Sequence, residues 1–89
     1  MLLSELPNGA YALVDHVFSG APEVSPAIVQ RLQELGFIEG EPVRMLRRGP
    51  GGREPLAVLV GETQFALRLV EAQSVAVKIP ELARTASEA

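Results

Sequence analysis

The sequence predicts a mainly β fold, a small five-stranded barrel with one α-helix inserted after the first strand. Three observations predict it. Five short runs rich in β-branched and aliphatic residues are separated by brief, mostly glycine-bearing turns. Only the segment between Ser25-Pro26 and Gly36 carries an apolar stripe of helical period. The chain has 89 residues, enough for one core and too few for a second.

The first strand is Tyr11 to Phe18, rich in β-branched and aromatic residues and closed by Ser19-Gly20. Ala21 to Val24, with Pro22, is a linker. The helix spans Pro26 to Leu35. Ser25 is a good N-cap, because its hydroxyl can accept a bond from a free N–H of the first turn, and Pro26 suits the first helical position. Ile28, Leu32 and Leu35 form one apolar stripe. Gly36 falls where a left-handed residue ends a helix, and Phe37 where a side chain packs back onto Leu32. Glu39-Gly40-Glu41 is a turn, Pro42 to Arg48 the second strand, and Gly49 to Gly52 a loop too glycine-rich to be regular. Leu56 to Val60, Gln64 to Val70 and Ser74 to Ile79 complete the five strands, with Gly61-Glu62-Thr63 and Glu71-Ala72-Gln73 as the intervening turns.

Alternation along the strands assigns faces. Leu56, Val58 and Val60, then Phe65, Leu67 and Leu69, then Val75, Val77 and Ile79 line the interior. Ala57, Leu59, Ala66, Arg68, Ala76 and Lys78 face outward. That outer surface is less polar than a solvated sheet requires, so it takes either the helix or a partner.

Composition removes several functions. Without cysteine there are no disulfides and no thiolate metal sites. Residues 1–10 lack the basic start and apolar run of a secretory signal. Even the apolar run Pro55 to Gly61 is far shorter than the roughly 20 residues that span a bilayer, and the expected location is the cytoplasm. The formal charge is −3, from 8 basic and 11 acidic residues, whereas a nucleic-acid binder needs a basic excess. Arg44, Arg47, Arg48 and Arg53 form the one basic cluster, read as a solvated strand end and loop. No helix is basic and amphipathic, so membrane-surface binding and insertion are not expected.

Candidates for chemistry are few. His16 is the only histidine. Its neighbour Asp15 should point to the other side of the strand, so no His–Asp relay is expected, and His16 is a poor start for a metal site. Gly49-Pro50-Gly51-Gly52-Arg53 lacks the Lys-Ser/Thr and the following helix of a phosphate-binding loop. No catalytic residue and no cofactor site is assigned, and the chain is expected not to be an enzyme.

Arg31-Leu32-Gln33-Glu34-Leu35-Gly36-Phe37-Ile38-Glu39-Gly40 resembles the Arg-Leu-x-x-Leu-Gly-φ-x-x-Gly segment of the ferrous iron transport protein A (FeoA) family. Phe65-Ala66-Leu67-Arg68, Glu71-Ala72 and Val75-Ala76-Val77 follow the family's order, as do Leu3-Ser4-Glu5-Leu6 with Gly9 and Gly52 to Pro55. Glu39 departs from the family's frequent proline, and Arg53-Glu54 alters its usual Gly-Asp-Pro. The resemblance implies an SH3-like barrel at residues 1–80, with 81–89 as a C-terminal tail, a short frayed helix or disordered. Ser25, Leu32, Gly36, Phe37 and Gly40 would be its structural motif. A peptide groove of stacked aromatics is not expected, since Tyr11, Phe18, Phe37 and Phe65 are too few to build one.

The function implied is an accessory role in bacterial ferrous-iron uptake, docking on and modulating a membrane permease that carries its own GTPase domain. The expected contact residues are Val29 and Arg31 on the helix, and Ala57, Leu59, Ala66 and Arg68 on the sheet. The apolar outer face could also support weak self-association. Family context allows a transition metal ion, with His16, Asp15 and Glu23 nearby. The alternative is a metal-responsive or peptide-binding regulatory domain like the C-terminal domain of iron-dependent repressors.

Overall fold

The computed structural model describes residues 1–80; the expected tail, 81–89, lies outside the described residues. The elements run β1 (Tyr11–Val17), α1 (Pro26–Glu34), β2 (Pro42–Arg48), β3 (Leu56–Val60), β4 (Thr63–Leu67), α2 (Leu69–Ala72) and β5 (Val75–Lys78). All ladders are antiparallel, in one sheet ordered β4-β3-β2-β1-β5. The predicted mainly β, SH3-like architecture, with a helix inserted after the first strand, is what the chain adopts. The sheet curls without a β4–β5 ladder among the described residues, so those two strands are its edges.

Helix α1 starts and stops by side-chain and backbone chemistry at its ends. The Ser25 hydroxyl accepts from the Ile28 N–H at 3.4 Å, and Pro26 occupies the first turn. At the other end Gly36, at φ +116°, donates its N–H to the Gln33 carbonyl, and the Phe37 N–H reaches back to the Leu32 carbonyl, both at 3.1 Å. This pair of bonds is a Schellman ending. It turns Phe37 inward, where it is fully buried beside Leu32. Ile28 and Leu35 are half-buried against the same core.

The core is aliphatic, built from Val14, Met45, Leu56, Val58, Leu67, Val75 and Val77 around Phe37. Leu3 and Leu6 also lie in it, carried by a 3₁₀ turn at Leu3–Glu5. The Arg48 guanidinium holds that turn in place, donating through Nη2 to the Ser4 carbonyl and, at 2.9 Å, to the Leu6 carbonyl. Met1 and Leu2 run beside β5, with Leu2 opposite Ala76 and the Val77 N–H bonded to the Met1 carbonyl.

Three expectations are corrected. The strand predicted over Gln64 to Val70 ends at Leu67, and Leu69–Ala72 is a helical turn. Glu71 accepts from the Arg68 N–H at 2.7 Å and Glu54 from the Leu69 N–H at 2.9 Å, so carboxylates satisfy two donors that a strand would offer to a ladder. Leu69 is consequently half-buried on a helix, while Phe65 is half-buried on its strand and Ile79 is 43% exposed, past the end of β5. Finally, the Gly49 to Gly52 loop is ordered into a 3₁₀ turn at Pro50–Gly52, closed by Gly49–Arg53 and Gly52–Gly49 backbone bonds.

Candidate functional site

The outer face of β2, β3 and β4 gathers half of the expected contact residues into two rows. Arg47 is opposite Ala57, which is opposite Ala66. Arg44 is opposite Leu59, which is opposite Gln64, and Tyr11 of β1 continues that row beyond Arg44. Directly opposed residues share a face, so these side chains form one surface. Ala57 and Leu59 are half-buried there and Ala66 is exposed. A β-bulge between Met45 and Arg47 returns Arg47 to the outer side.

This face contains a shallow depression of about 480 Å³, floored by Ala57 and Ala66 and walled by Arg47, Pro50, Pro55 and Gln64. No carboxylate lines it. Around the corner of β4, a smaller cleft of about 140 Å³ lies between α1 and the β4–α2 segment, lined by Ile28, Arg31, Leu35, Phe65, Ala66 and Glu71. Ala66 thus borders both hollows and brings Arg31 close to the sheet. Val29 is half-buried on α1 and Arg68 is exposed at the start of α2; neither lines either hollow.

Charge divides along the sheet. Arg48, opposite Leu56 and hence beside Leu67, marks one end, where Arg47, Arg53 and Arg68 also lie. Glu62, in the β3–β4 turn, with Glu39 and Glu41 before β2, marks the other. Among the described residues no arginine lies within 4.0 Å of a carboxylate; the one acid–base side-chain contact within that distance is His16–Asp15. The acids that share the arginine end have other partners. Glu54 and Glu71 accept from the N–H groups that open α2. Glu5 accepts from the Leu2 N–H at 2.6 Å.

His16 and Asp15 do not point to opposite sides, contrary to simple alternation. A bulge in the β1–β5 ladder between Val14 and His16 makes Asp15 the extra residue. It brings Asp15 Oδ2 to 3.6 Å from His16 Nδ1, with His16 exposed and Asp15 half-buried. They line a depression of about 200 Å³ together with Glu39 and Gln33. Two adjacent donors make an incomplete ligand set, and among the described residues no three His, Asp or Glu side chains are grouped to hold a metal ion. No helix among the described residues is long and apolar enough to cross a membrane.

The sequence missed Arg47 and Gln64 as parts of this surface, and missed the engagement of Glu54 and Glu71. Alternation from Ala57 and Ala66 to their opposite residues carried a signal for Arg47 and Gln64 only once the strand register was known.

Comparison with known proteins follows from this fold. The FeoA domain matches residues 1–79. FeoA of Stenotrophomonas maltophilia, crystallised with zinc, superposes with a TM-score of 0.77 at 51% identity, covering 88% of this chain and 89% of that one. FeoA of Chlorobium tepidum gives a TM-score of 0.75 at 35% identity, covering 89% of this chain and 70% of that one. A manganese-dependent transcriptional repressor shares the fold alone, with a TM-score of 0.72 at 16% identity over 90% of this chain and 41% of that one. The comparison with curated proteins returned no match. With an SH3-like sheet, the FeoA match along nearly the whole described chain and 51% identity to a solved FeoA over 88% of the chain, the chain belongs to the FeoA family of ferrous-iron transport proteins.

Proposed function

We propose that the chain is a non-enzymatic docking protein that works in the cytoplasm, binding the GTPase-containing ferrous-iron permease and changing its activity. The observation that carries this reading is the outer face of β2–β4, a partly apolar surface with a recess and unpaired arginines on a family member otherwise built as a compact aliphatic core. Such a face suits recognition. The Stenotrophomonas maltophilia relative, half identical, has been put forward as a ferrous iron transport activating factor, and the same role is the simplest one for this chain.

The test is GTP turnover by the purified permease with and without this protein, alongside copurification in each nucleotide state. A change in turnover together with copurification is expected. Failure to bind in every nucleotide state removes the docking role.

A second reading, a metal-responsive regulatory domain, draws on the Asp15–His16 pair beside Glu39 and on the zinc in the Stenotrophomonas maltophilia structure. Titration with ferrous or manganous ion tests it, since a ligand that binds only the folded chain raises its melting temperature. Absence of any thermal shift at millimolar metal excludes it.

A further inference from the structure

We propose that the arginine end of the outer β2–β4 face takes an extended acidic segment of a protein partner, with Arg47 and Arg53 as its charge contacts and the Ala57–Ala66 recess seating a side chain between the acids. This deepens the docking role proposed above and rests on it.

Charge complementarity selects the occupant. The chain is acidic overall, yet the depression of about 480 Å³ has arginine in its wall and no carboxylate. Surface arginines are commonly balanced by nearby acids. Here the nearby acids keep their charge but are held away from direct pairing, Glu54 and Glu71 on the backbone donors that open α2 and Glu5 on the Leu2 N–H. Arg48 is engaged as well, on the Ser4 and Leu6 carbonyls. Among the described residues Arg47, Arg53 and Arg68 therefore form no ion pair within 4.0 Å, and although Glu54 shares a hollow with Arg53, the recess beside Arg47 holds no carboxylate. Three further acids, Glu39, Glu41 and Glu62, sit at the far end of the sheet, so this sheet presents two poles to an approaching partner.

Shape selects a polypeptide over a lipid surface. A membrane-docking patch sets long apolar side chains beyond its cations, whereas Ala57, Ala66, Pro50 and Pro55 form a recess behind them. The recess also reaches Gln64 and Ala66 on β4, an edge strand of the sheet. An extended segment laid there finds backbone groups as well as side chains.

The experiment compares the full chain with Arg47→Gln/Arg53→Gln and, as a control at the other pole, Glu39→Gln/Glu62→Gln. All four side chains are exposed, and melting temperatures equal to that of the parent establish that the variants fold. Each protein is titrated against three probes: the permease's cytoplasmic domain, a short synthetic peptide alternating Glu with Ala beside its Lys–Ala counterpart, and phosphatidylglycerol vesicles. The arginine pair is expected to lose about 10-fold in affinity for the permease domain and for the Glu–Ala peptide. The acidic pair should change little, and binding of the parent should fall as salt shortens the screening length to about 3 Å at 1 M.

If the permease domain binds the parent and the arginine variant equally, the arginine face is not the contact, although docking itself stands. If the peptide binds and depends on the arginines while the permease domain does not bind, the acidic-segment site stands and the permease is the wrong partner. Binding to the vesicles and not to the Glu–Ala peptide overturns the proposal in favour of a membrane surface. Equal binding of the Glu–Ala and Lys–Ala peptides, or of neither, overturns it outright.

Discussion

Among the described residues Ser74 is the one polar residue that is buried, at 0% exposure. Its hydroxyl donates to the Val70 carbonyl at 2.9 Å and accepts from the Gly20 N–H at 3.0 Å. Its backbone carbonyl accepts from the Phe18 N–H at 2.9 Å. One side chain thus ties the end of α2 to the segment that leaves β1. Ser74→Ala removes the hydroxyl, keeps the backbone bond and fits sterically. The loss has two parts: a net hydrogen bond worth about 1 kcal/mol and a part-buried Gly20 N–H left without a partner, which costs about 1–3 kcal/mol. Allowing for water reaching the more open Gly20 side, the sum is about 2–3 kcal/mol. For a domain of this size that lowers the melting temperature by roughly 8–24 °C. Urea denaturation followed by circular dichroism gives the free energy, and amide exchange at Gly20 reports the orphaned donor. Ser19→Ala is the contrast, because Ser19 donates to the Val24 carbonyl at 2.7 Å from an exposed position where water substitutes; it should cost under about 1 kcal/mol. Equal losses for the two variants, or a Ser74→Ala change below ~0.5 kcal/mol, refute the clamp.

Gly36→Ala should destabilise by about 1–2 kcal/mol and Gly36→Val by more, read from thermal melting. The added Cβ meets only Val60 at 3.8 Å, an ordinary contact, so the whole effect is the positive φ; an unchanged melting temperature for both refutes it. Arg48→Met removes both bonds to the N-terminal turn and should cost about 2–3 kcal/mol in urea, with earlier amide exchange at Glu5 and Leu6. If stability holds, Leu3 and Leu6 seat that turn by apolar contact alone. Ala66→Val should stabilise the fold by about 0.2–1 kcal/mol through its cross-strand contact with Ala57, while filling the recess and weakening docking. Raised stability with undiminished binding separates the recess from the contact.

Most of the fold was legible because its elements announce themselves locally. Pro42 to Arg48 and Leu56 to Val60 read as strands from composition and alternation, and these are their observed bounds. The helix was bracketed by Ser25-Pro26 and Gly36, whose roles depend on a few neighbouring backbone groups. What escaped depended on distant partners. Leu67, Leu69 and their alternation fit a strand as well as a turn, and only the carboxylate of Glu54, 15 residues away from Leu69, together with Glu71 decides for the turn. Leu3 and Leu6 have the spacing of a 3₁₀ turn, but three residues give too little pattern to identify one without Arg48 above it. The Asp15–His16 contact arose from a bulge, whose extra residue breaks the period-two rule on which the opposite-face expectation stood. The same limit governs the docking surface. Ala57, Leu59 and Ala66 were visible as outward apolar positions, whereas Arg47 joined them only through register.

The placement of acids makes the docking face more than a patch of leftover surface. Glu54 and Glu71 sit close to the arginines in sequence and in space, and in an ordinary solvated loop they would be free to pair with them directly. Both instead meet the N–H groups of a four-residue helix. That helix is far below the length at which helices are stable by themselves, so its carboxylate caps are a structural requirement. Held there, neither forms an ion pair with the arginines within 4.0 Å. The neighbouring Ala57–Ala66 pair follows the same direction, because alanine contributes least among common residues to a cross-strand contact. A larger pair would stabilise the sheet and erase the hollow. Two local departures from maximal stability therefore coincide at one place on the surface, one electrostatic and one steric, and both are relieved by the same event: an acidic chain lying across β3 and β4. Arg47 belongs to both, as the wall of the hollow and as a cation without a counter-ion, which makes it the position where charge and shape can be separated by Arg47→Lys and Arg47→Gln.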